Sequence, residues 1–298
     1  MADIPFVKEI EFEYGVMEEV APGIRRVIAN NPGPFTYPGT GTYVIGQGEV
    51  AVIDPGPNMP DHVEAILKGL DGETVTHILI THTHFDHSPA AAPLKAATGA
   101  ATYGYGPHAG NRHGAKAEEG GDFDFLPDHR VKHGDIVEGA GWSVEALHTP
   151  GHISNHICYA YQEQKALFTG DHVMGWSTSV ITPPDGSMTD YMAALRLLLD
   201  RDDQVYWPTH GAPITDPKPF VEAYIAHREA REAQIMECLR TGTHYIPAMV
   251  KIMYTDVPEI LHSAAGRSVQ AHLIHMEETG RVTSDSTGPG GDTRYTTT

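Results

Sequence analysis

A run of three histidines and one aspartate, in the segment Thr-His-Thr-His-Phe-Asp-His at positions 81–87, most constrains what this chain can fold into. The residues before it read as a short strand, and side chains two positions apart on a strand point the same way. His82 and His84 are therefore expected to share one side of a strand end. Asp86 and His87 follow at the predicted turn into a helix, where adjacent side chains diverge. The fold has to present this strand end at the edge of a sheet.

Three later segments carry the same kinds of side chain at comparable places. His152 lies at the Pro-Gly turn of His-Thr-Pro-Gly-His, Asp171 ends the predicted strand Phe-Thr-Gly-Asp, and His210 ends Trp-Pro-Thr-His-Gly. Imidazole nitrogens and carboxylate oxygens without a thiolate suit zinc, and iron(II) or manganese(II) fits the same donors. We therefore expect a site for two metal ions, with Zn²⁺ favoured.

The candidate ligands divide into two sets around one shared residue. The expected division is His82, His84 and His152 for one ion, Asp86, His87 and His210 for the other, and Asp171 as the bridge. A water held between two cations loses a proton near neutral pH and becomes a hydroxide nucleophile, while the cations polarise the bond under attack. Asp86 is the candidate catalytic residue, because a carboxylate ligand can also orient this nucleophile. Hydrolysis is the expected chemistry.

Composition narrows the class of protein that could carry such a site. The chain has 298 residues, 40% of them hydrophobic, which predicts one large domain and one small domain. Its 20 Lys and Arg against 39 Asp and Glu give a formal net charge of -19, which repels nucleic acid at long range. Only two cysteines are present, so a disulfide framework is excluded. Without a long apolar stretch or an export signal, we expect a cytoplasmic protein with no membrane partner.

Alternating and periodic segments predict where the secondary structure lies. The predicted strands are GTYVIG, EVAVIDPG, THILITH, WSVEALHTPGH, HICYAYQ, KALFTGD and QVYWPTHG. The predicted helices are DHVEAILKGL; SPAAAPLKAATG, with Ser88 as N-cap and Gly99 as its end; and DYMAALRLLLD, with Asp190 as N-cap. Residues 103–128 are rich in glycine, histidine and acidic residues, which predicts a long loop and a lid candidate. The histidines in or near it are expected to be solvated: His108, His113, His129 and His133.

The character of the chain changes after Pro219. FVEAYIAHREAREAQIMECLRTG predicts a long amphipathic helix, and two shorter helical patterns follow it. The final residues are almost free of apolar side chains and are expected to stay disordered. The predicted organisation is a catalytic domain over 1–215, a small helical domain over 216–283 and a disordered tail over 284–298.

The motif His-Thr-His-Phe-Asp-His, followed in order by His-Thr-Pro-Gly-His, Thr-Gly-Asp and Pro-Thr-His-Gly, resembles the ligand motifs of the metallo-β-lactamase superfamily. The PGTGTYVIG segment, the stretch from Asp171 to Leu199 and the C-terminal helical unit resemble its branch called β-lactamase-like protein 2. One departure is Gly41, which stands where that branch has an asparagine.

The resemblance implies an α/β fold of the αββα sandwich type, a dinuclear zinc centre and a C-terminal unit similar to a winged helix. It also implies that Tyr191 faces the substrate. His172, which directly follows Asp171, is a further candidate for substrate contact.

Two classes of function are compatible with these features. The first is hydrolysis of an ester, thioester or lactam-like bond in a small-molecule substrate, with RNA phosphodiester cleavage as a variant, since the branch includes an RNA-cleaving enzyme. Against RNA, residues 216–281 hold seven Lys and Arg but nine Asp and Glu, so the wing-like unit is expected to shape the cleft or a homo-oligomer contact. The second class is a non-hydrolytic di-iron protein or binding module. A β-lactamase acting on antibiotics is disfavoured by the absent export signal.

Overall fold

The structure is a computed structural model that describes residues 4–109, 120–255, 257–285 and 293–298. Within these ranges the strands, numbered β1 to β14 along the chain, are Glu18–Ala21, Ile24–Ile28, Gly41–Gln47, Glu49–Ile53, Thr74–Leu79, Ala101–Gly104, His129–Arg130, Ile136–Gly139, Trp142–His148, Ile157–Tyr161, Ala166–Gly170, Val205–Pro208, Val282–Asp285 and Arg294–Thr297. The helices α1 to α6 are Pro60–Gly69, Ala91–Thr98, Met188–Leu199, Pro217–Arg240, Ile246–Met253 and His262–Glu278. None of the helices in these ranges combines the length and apolar character that a membrane span requires.

The first sheet contains strands β1 to β7 in sequence order. Strands β1 to β4 form an antiparallel meander, and β4 to β7 run parallel to one another. Side chains alternate between its faces: Tyr43 and Ile45 pack against the second sheet, whereas Val44 packs against α1 and α2. Because parallel strands end at the same edge, Asp54 after β4 and the segment 81–87 after β5 lie close together.

The second sheet has the strand order β12-β11-β10-β9-β8. Tyr159 and Phe168 face the first sheet, whereas Cys158 and Leu167 pack against α3 and α4 on the outer face. Full burial of one large apolar side chain contributes about 1.5–3 kcal/mol to folding, so the core between the sheets is a major source of stability. The four layers confirm the predicted αββα sandwich.

Helix α2 begins later than the sequence predicts. It starts at Ala91 rather than at Ser88, and Ala90 at the N-cap makes no side-chain capping hydrogen bond. The Ser88 hydroxyl instead donates to Asp122 Oδ2 at 2.8 Å, so it is not available as a cap. The predicted end is confirmed, because Gly99 adopts a φ of 75°, which favours glycine.

Helix α3 also differs at its start. Its N-cap is Ser187, whose hydroxyl accepts a hydrogen bond from the Asp190 amide at 3.2 Å. Asp190 was predicted as the N-cap and lies instead in the first turn, where a carboxylate interacts favourably with the helix dipole. Serine and aspartate are both favoured at N-caps, so the sequence alone does not show which of Ser187 and Asp190 takes that position.

The C-terminal region is built around α4, which contributes to two cores. Phe220 and Tyr224 in its first half pack on the outer face of the second sheet. Ile235 and Leu239 in its second half pack with α5, α6 and the β13–β14 hairpin. The predicted boundary at residue 216 therefore falls at the start of a helix that belongs to both units, and the domain division stays a prediction.

The tail is more ordered than the predicted disorder over 284–298. Arg294–Thr297 pair antiparallel with Val282–Asp285, and Tyr295 is 5% exposed in the C-terminal core. The Tyr295 amide also donates to the His244 carbonyl at 2.9 Å. The burial of Tyr295 and the pairing of the hairpin offset the loss of chain entropy on ordering, which the polar composition predicted would keep the tail disordered. Residues 286–292 lie outside the described ranges.

The loop predicted over 103–128 begins inside β6. Beyond β6, its described residues form no helix or extended strand, and a single β-bridge joins Gly121 to His84. Residues 110–119, which include His113, lie outside the described ranges. The lid role therefore stays a prediction.

Candidate metal centre

The seven predicted ligands meet at one edge of the sandwich. Strand β10 is antiparallel to both β9 and β11, and β12 is parallel to β11, so β9, β11 and β12 end on the same side. His152 follows β9, Asp171 directly follows β11, and His210 follows β12. The segment 81–87 reaches the same place from β5 in the first sheet.

The first group of ligands consists of His82, His84 and His152. Their inward-facing ring nitrogens lie close together. Nδ1 of His84 lies 3.0 Å from Nε2 of His82 and 3.0 Å from Nε2 of His152. The three ligand atoms lie within 4.8 Å of one another, and all three residues are buried. This is the spacing of atoms that could hold one metal ion.

Hydrogen bonds to the outer ring nitrogens fix the tautomers of His82 and His152. Nδ1 of His152 donates to the Val180 carbonyl at 2.6 Å. Nδ1 of His82 lies 3.0 Å from the Thr81 hydroxyl, which itself donates to Asp54 Oδ2 at 2.6 Å and so accepts from the imidazole. Because a neutral imidazole has one N–H, the inward Nε2 atoms of His82 and His152 carry lone pairs.

The second group of ligands consists of Asp86, His87 and His210. Unlike the first group, it includes a carboxylate. Oδ2 of Asp86 lies 3.0 Å from Nε2 of His210 and 3.3 Å from Nε2 of His87. Nδ1 of His87 donates to Asp54 Oδ2 at 2.9 Å, and Nδ1 of His210 donates to the Gly39 carbonyl at 3.2 Å. Each imidazole is again held from behind and directs Nε2 at the group centre.

Asp171 lies between the two groups. Its Oδ2 is 3.5 Å from Nε2 of His87 and 3.9 Å from Nε2 of His152, and its Oδ1 is 3.5 Å from Nε2 of His210. With His82 and His87 it forms a third set of atoms that could hold a metal ion. One carboxylate thus contacts both groups.

The electrostatics of the two groups differ. Burial lowers the pKa of His82 and of His84 well below its usual value, so these imidazoles are neutral. Burial also acts on His210, but the carboxylates of Asp171 and Asp86 outweigh it and raise the pKa of His210 to about 10. The pKa of His87 is likewise raised, because neighbouring carboxylates outweigh burial. Only the neutral form binds a metal, so binding at the second group displaces protons.

The donor set fits divalent cations. Three buried atoms have no hydrogen-bond partner among the residues that the structure describes, although buried polar atoms are normally paired: Nε2 of His87, Nε2 of His210 and Oδ1 of Asp171. They lie near one another but not in hydrogen-bonding alignment. Nitrogen and oxygen donors without thiolate suit zinc and also fit iron(II) or manganese(II).

Asp54 is a site residue that the sequence analysis did not single out. It is fully buried and accepts from the Thr81 amide at 2.8 Å, the Thr81 hydroxyl at 2.6 Å and the Thr209 hydroxyl at 3.1 Å, as well as from His87. Its φ of 48° lies in the left-handed region, a strain that surrounding contacts have to hold. A signal was present, since a carboxylate directly after a buried strand lies at the same edge as the ligands.

His156 was also missed. Its Nε2 accepts a hydrogen bond from the Asp171 amide at 3.2 Å, and its Nδ1 lies 2.9 Å from the Thr149 hydroxyl. The residue is fully buried. It therefore positions the backbone of the shared carboxylate.

The two residues predicted to contact substrate are both buried. Tyr191 and His172 are 0% exposed, and the Tyr191 hydroxyl donates to the His172 carbonyl at 2.8 Å. Neither side chain presents surface to a substrate in this structure. Tyr191 instead supports the backbone next to Asp171.

Among the described residues, the histidines outside the predicted ligand set include two with structural contacts and two that are exposed. His148 stacks on Tyr105 with a ring separation of 4.0 Å, and its Nε2 donates to the Ser154 carbonyl. His108 is half-buried, with Nδ1 2.8 Å from the Thr83 hydroxyl, so it is not simply solvated. The prediction of solvent exposure is confirmed for the side chains of His129 and His133.

Gly41 allows a close backbone contact at the rim of the site. Its amide donates to the Thr209 carbonyl at 2.8 Å, and a Cβ at this position would lie 3.1 Å from the same oxygen. Next to it, Thr40 is fully buried, and its hydroxyl lies 3.5 Å from Asp86 Oδ2. The segment thus holds the peptide before His210 and approaches the carboxylate of the second group.

Solved structures share this fold over nearly the whole chain. A beta-lactamase domain protein from Burkholderia ambifaria superposes with a TM-score of 0.77 at 20% identity, over 95% of this chain and 94% of that chain. A metallo-beta-lactamase family protein from Thermus thermophilus gives a TM-score of 0.74 at 22% identity, over 94% of this chain and 100% of that chain. These likenesses support the fold alone.

Curated proteins are similar at the level of sequence. An atrochrysone carboxyl ACP thioesterase of Cryptosporiopsis sp. (strain 8999) is 33% identical over 226 residues, which cover 75% of this chain and 65% of that protein. The matched part is therefore less than two thirds of that relative's length. Lactamase-like protein aptB of Emericella nidulans is 30% identical over 303 residues, which cover 94% of this chain and 92% of that protein.

Family models match both parts of the chain. Residues 246–291 match the model described as beta-lactamase associated winged helix domain, which confirms the predicted nature of the C-terminal unit. Residues 37–210 match the model described as metallo-beta-lactamase superfamily, and that range is more than half of the chain. The chain therefore belongs to the metallo-β-lactamase superfamily.

Proposed function

We propose that the protein is a dinuclear zinc hydrolase that cleaves a thioester bond of a small acyl substrate. The observation that carries the proposal is the convergence of seven ligating side chains, in two groups that share Asp171. Family membership and the thioesterase names among the relatives support a metal-dependent hydrolase.

The proposed ligands are His82, His84 and His152 in the first group, Asp86, His87 and His210 in the second group, and Asp171 between them. When bound, two divalent cations would polarise the substrate carbonyl and lower the pKa of a water molecule. Rigid imidazoles favour this arrangement, because their outer nitrogens are already held by Thr81, Val180, Asp54 and Gly39.

Asp86 is proposed as the residue that orients the attacking water. Its side chain is 19% exposed, compared with 7% for Asp171, so it is the more accessible of the two carboxylates. Burial raises the pKa of Asp86, but His87 and His210 outweigh this effect and hold it below its usual range. A carboxylate that stays ionised at the mouth of the site can accept a hydrogen bond from a water molecule and so orient it for attack.

The thioester is chosen over the ester and the lactam because of the relatives. Four of the similar curated proteins are named atrochrysone carboxyl ACP thioesterases. The chain matches 65% of the length of two of them, so activity on an acyl group carried by a protein remains part of the proposal. The net charge of -19 disfavours a strongly acidic carrier, and we therefore place a small acyl thioester first.

The test is to load purified protein with zinc and follow hydrolysis of a panel of thioesters, oxygen esters, lactones and β-lactams. We expect about two zinc ions per chain and turnover of thioesters, with kcat/KM in the ordinary enzyme range of about 10⁴ M⁻¹s⁻¹ or more for a good substrate. His84→Ala is the control, because it removes the central imidazole of the first group. Thioester turnover that survives in this variant would count against the proposal.

The same purified protein also tests the two alternative functions, RNA cleavage and a non-hydrolytic iron protein. Single-stranded RNA is added with and without the His84→Ala change, and RNA cleavage by the unaltered protein alone would replace the thioester proposal. Elemental analysis and electronic spectroscopy address iron, since a di-iron protein would show iron absorption and no thioester turnover. The formal net charge of -19 disfavours RNA as a substrate, so zinc-dependent thioester cleavage is the expected result.

A further inference from the structure

Helix α4 reaches the loop that joins β11 to α3. This loop, residues 171–187, contains neither helix nor strand, and it begins with the shared carboxylate Asp171. Its Val180 carbonyl accepts the hydrogen bond from Nδ1 of His152 at 2.6 Å. The loop therefore supplies one proposed ligand and orients another.

Two side chains of α4, one helical turn apart, hold this loop. Arg228 Nη2 donates to the Ser179 carbonyl at 2.6 Å, immediately before the carbonyl that receives His152. The Tyr224 hydroxyl oxygen lies 2.7 Å from the Met174 carbonyl oxygen and 2.6 Å from the Ser177 carbonyl oxygen. Residues at i and i+4 on a helix share one face, so both contacts belong to the same surface of α4.

The position of Arg228 is unusual for a cation. It is 4% exposed, and among the described residues its side chain forms no ion pair and its Nε has no hydrogen-bond partner. Its guanidinium carbon lies 5.2 Å from the ring centroid of Tyr191, which gives a cation–π contact. Burying a charge without a carboxylate costs free energy, so packing alone would favour an apolar residue here.

We propose that Arg228, with Tyr224, is a positioning residue for His152. Its contact with the Ser179 carbonyl fixes the Ser179–Val180 peptide unit, and the next carbonyl then fixes the tautomer and direction of the His152 ring. This inference rests on the proposed zinc site, because it assigns His152 to the first ion. The long helix thereby links the C-terminal unit to the metal centre.

The test compares Arg228→Met with Arg231→Met in the full-length protein. Arg231 is the matched control, since it lies on the same helix, stacks on Tyr254 at 4.6 Å and donates to the Met253 carbonyl, away from the metal centre. Zinc is titrated into metal-free protein against a chromophoric chelator. Cobalt(II) absorption spectra report the ligand field, and circular dichroism reports folding.

We expect Arg228→Met to weaken zinc binding at one site about 10- to 100-fold and to change the cobalt spectrum. Arg231→Met is expected to bind both ions as the unaltered protein does, and Arg228→Lys to recover part of the affinity because it keeps a donor. Zinc affinity and a cobalt spectrum unchanged in Arg228→Met would overturn the proposal. If Arg228→Met does not fold, Tyr224→Phe decides, and unchanged affinity in that variant overturns it.

The unaltered protein separates this inference from the proposed function. Zinc binding without thioester turnover removes the proposed function, and the role of Arg228 then stands or falls by the titration. Turnover and two bound ions that persist unchanged in Arg228→Met remove only the inference. An unaltered protein that binds no zinc overturns both.

Discussion

The first and second groups use similar side chains, and yet the pKa is lowered for His82 and His84 in the first group and raised for His87 and His210 in the second. In the first group a hydroxyl and a carbonyl, both uncharged, hold the outer nitrogens of His82 and His152. In the second group carboxylates lie both behind and in front of His87, namely Asp54 and Asp86. Burial therefore lowers the pKa of His82, whereas the neighbouring carboxylates outweigh burial and raise the pKa of His87.

This difference bears on how the two sites would fill. A cation entering the first group meets the Nε2 lone pairs of His82 and His152, because the protons of these rings lie on the outer nitrogens. A cation entering the second group replaces protons that the carboxylates hold on His87 and His210. We expect the two sites to respond differently to loss of a carboxylate and to pH.

The largest effect is expected from Asp171→Asn, which removes the charge that both groups share. The variant should lose affinity at both sites, and thioester turnover should fall about 10³-fold or more, since the loss of several kcal/mol of metal stabilisation has that effect. Zinc content by elemental analysis and kcat on a thioester measure it. A variant that keeps both ions and its turnover would show that the groups work independently.

Asp54→Asn should affect the second group more than the first. Asp54 contacts His87 directly but reaches His82 only through the Thr81 hydroxyl. We expect zinc affinity to fall about 10- to 100-fold at one site and to change less at the other. Competitive titration measures both constants, and Asp202→Asn is the control because Asp202 is exposed and pairs with Lys165. Equal losses at the two sites would contradict the direct contact.

Zinc binding at the second group should depend more steeply on pH. Since the pKa of His87 and of His210 is raised, a proton has to leave before a metal binds, and affinity falls as the pH decreases. Each displaced proton changes the apparent affinity about tenfold per pH unit. The pKa of His82 and of His84 is lowered, so these two imidazoles release no proton when a metal binds, and affinity at the first group should depend less steeply on pH. Titrations from about pH 8 to about pH 6 test this, and parallel slopes would refute it.

The layered fold was predictable because its signals are local. Alternating strands such as GTYVIG and HICYAYQ appear in the structure as Gly41–Gln47 and Ile157–Tyr161. The helix starts were less predictable, because Ser88 and Asp190 are good caps whose actual roles depend on tertiary contacts. The hairpin of the tail depends on Tyr295, and one aromatic residue is a weak signal in a polar segment.

The ligand side chains were predictable for a related reason, whereas their supports were not. Several ligands lie within one short segment, 81–87, and that density of imidazoles has no common structural explanation. Asp54, His156 and Arg228 each act through a contact distant in the chain, with His87, Asp171 and the Ser179 carbonyl, and spacing does not encode such pairs. The buried position of Tyr191 is a packing outcome of the same kind.

Thr40→Val should have the smallest effect. It tests the contact between the Thr40 hydroxyl and the carboxylate of Asp86 in the second group. The Thr40 hydroxyl lies 3.5 Å from Asp86 Oδ2, a long contact, while its amide and hydroxyl are also tied to the Asn31 side chain at 2.9 and 3.0 Å. Loss of one such hydrogen bond costs about 0.5–1.5 kcal/mol, so kcat should fall about two- to tenfold with zinc content unchanged.

Thr76→Val is the control for Thr40→Val, because it also removes a threonine hydroxyl, one that donates to the Val50 carbonyl at 3.2 Å in the first sheet. Each variant loses two hydroxyl contacts, with Asp86 and Asn31 for Thr40 and with the Val50 carbonyl and His77 for Thr76, so the two should lose similar thermal stability. Only Thr40→Val should lower kcat, because only its hydroxyl approaches the carboxylate proposed to orient the attacking water. Equal kcat in the two variants would mean that His87 and His210 alone orient Asp86. The difference between the two groups would then depend only on the residues that contact the outer nitrogens of the imidazoles.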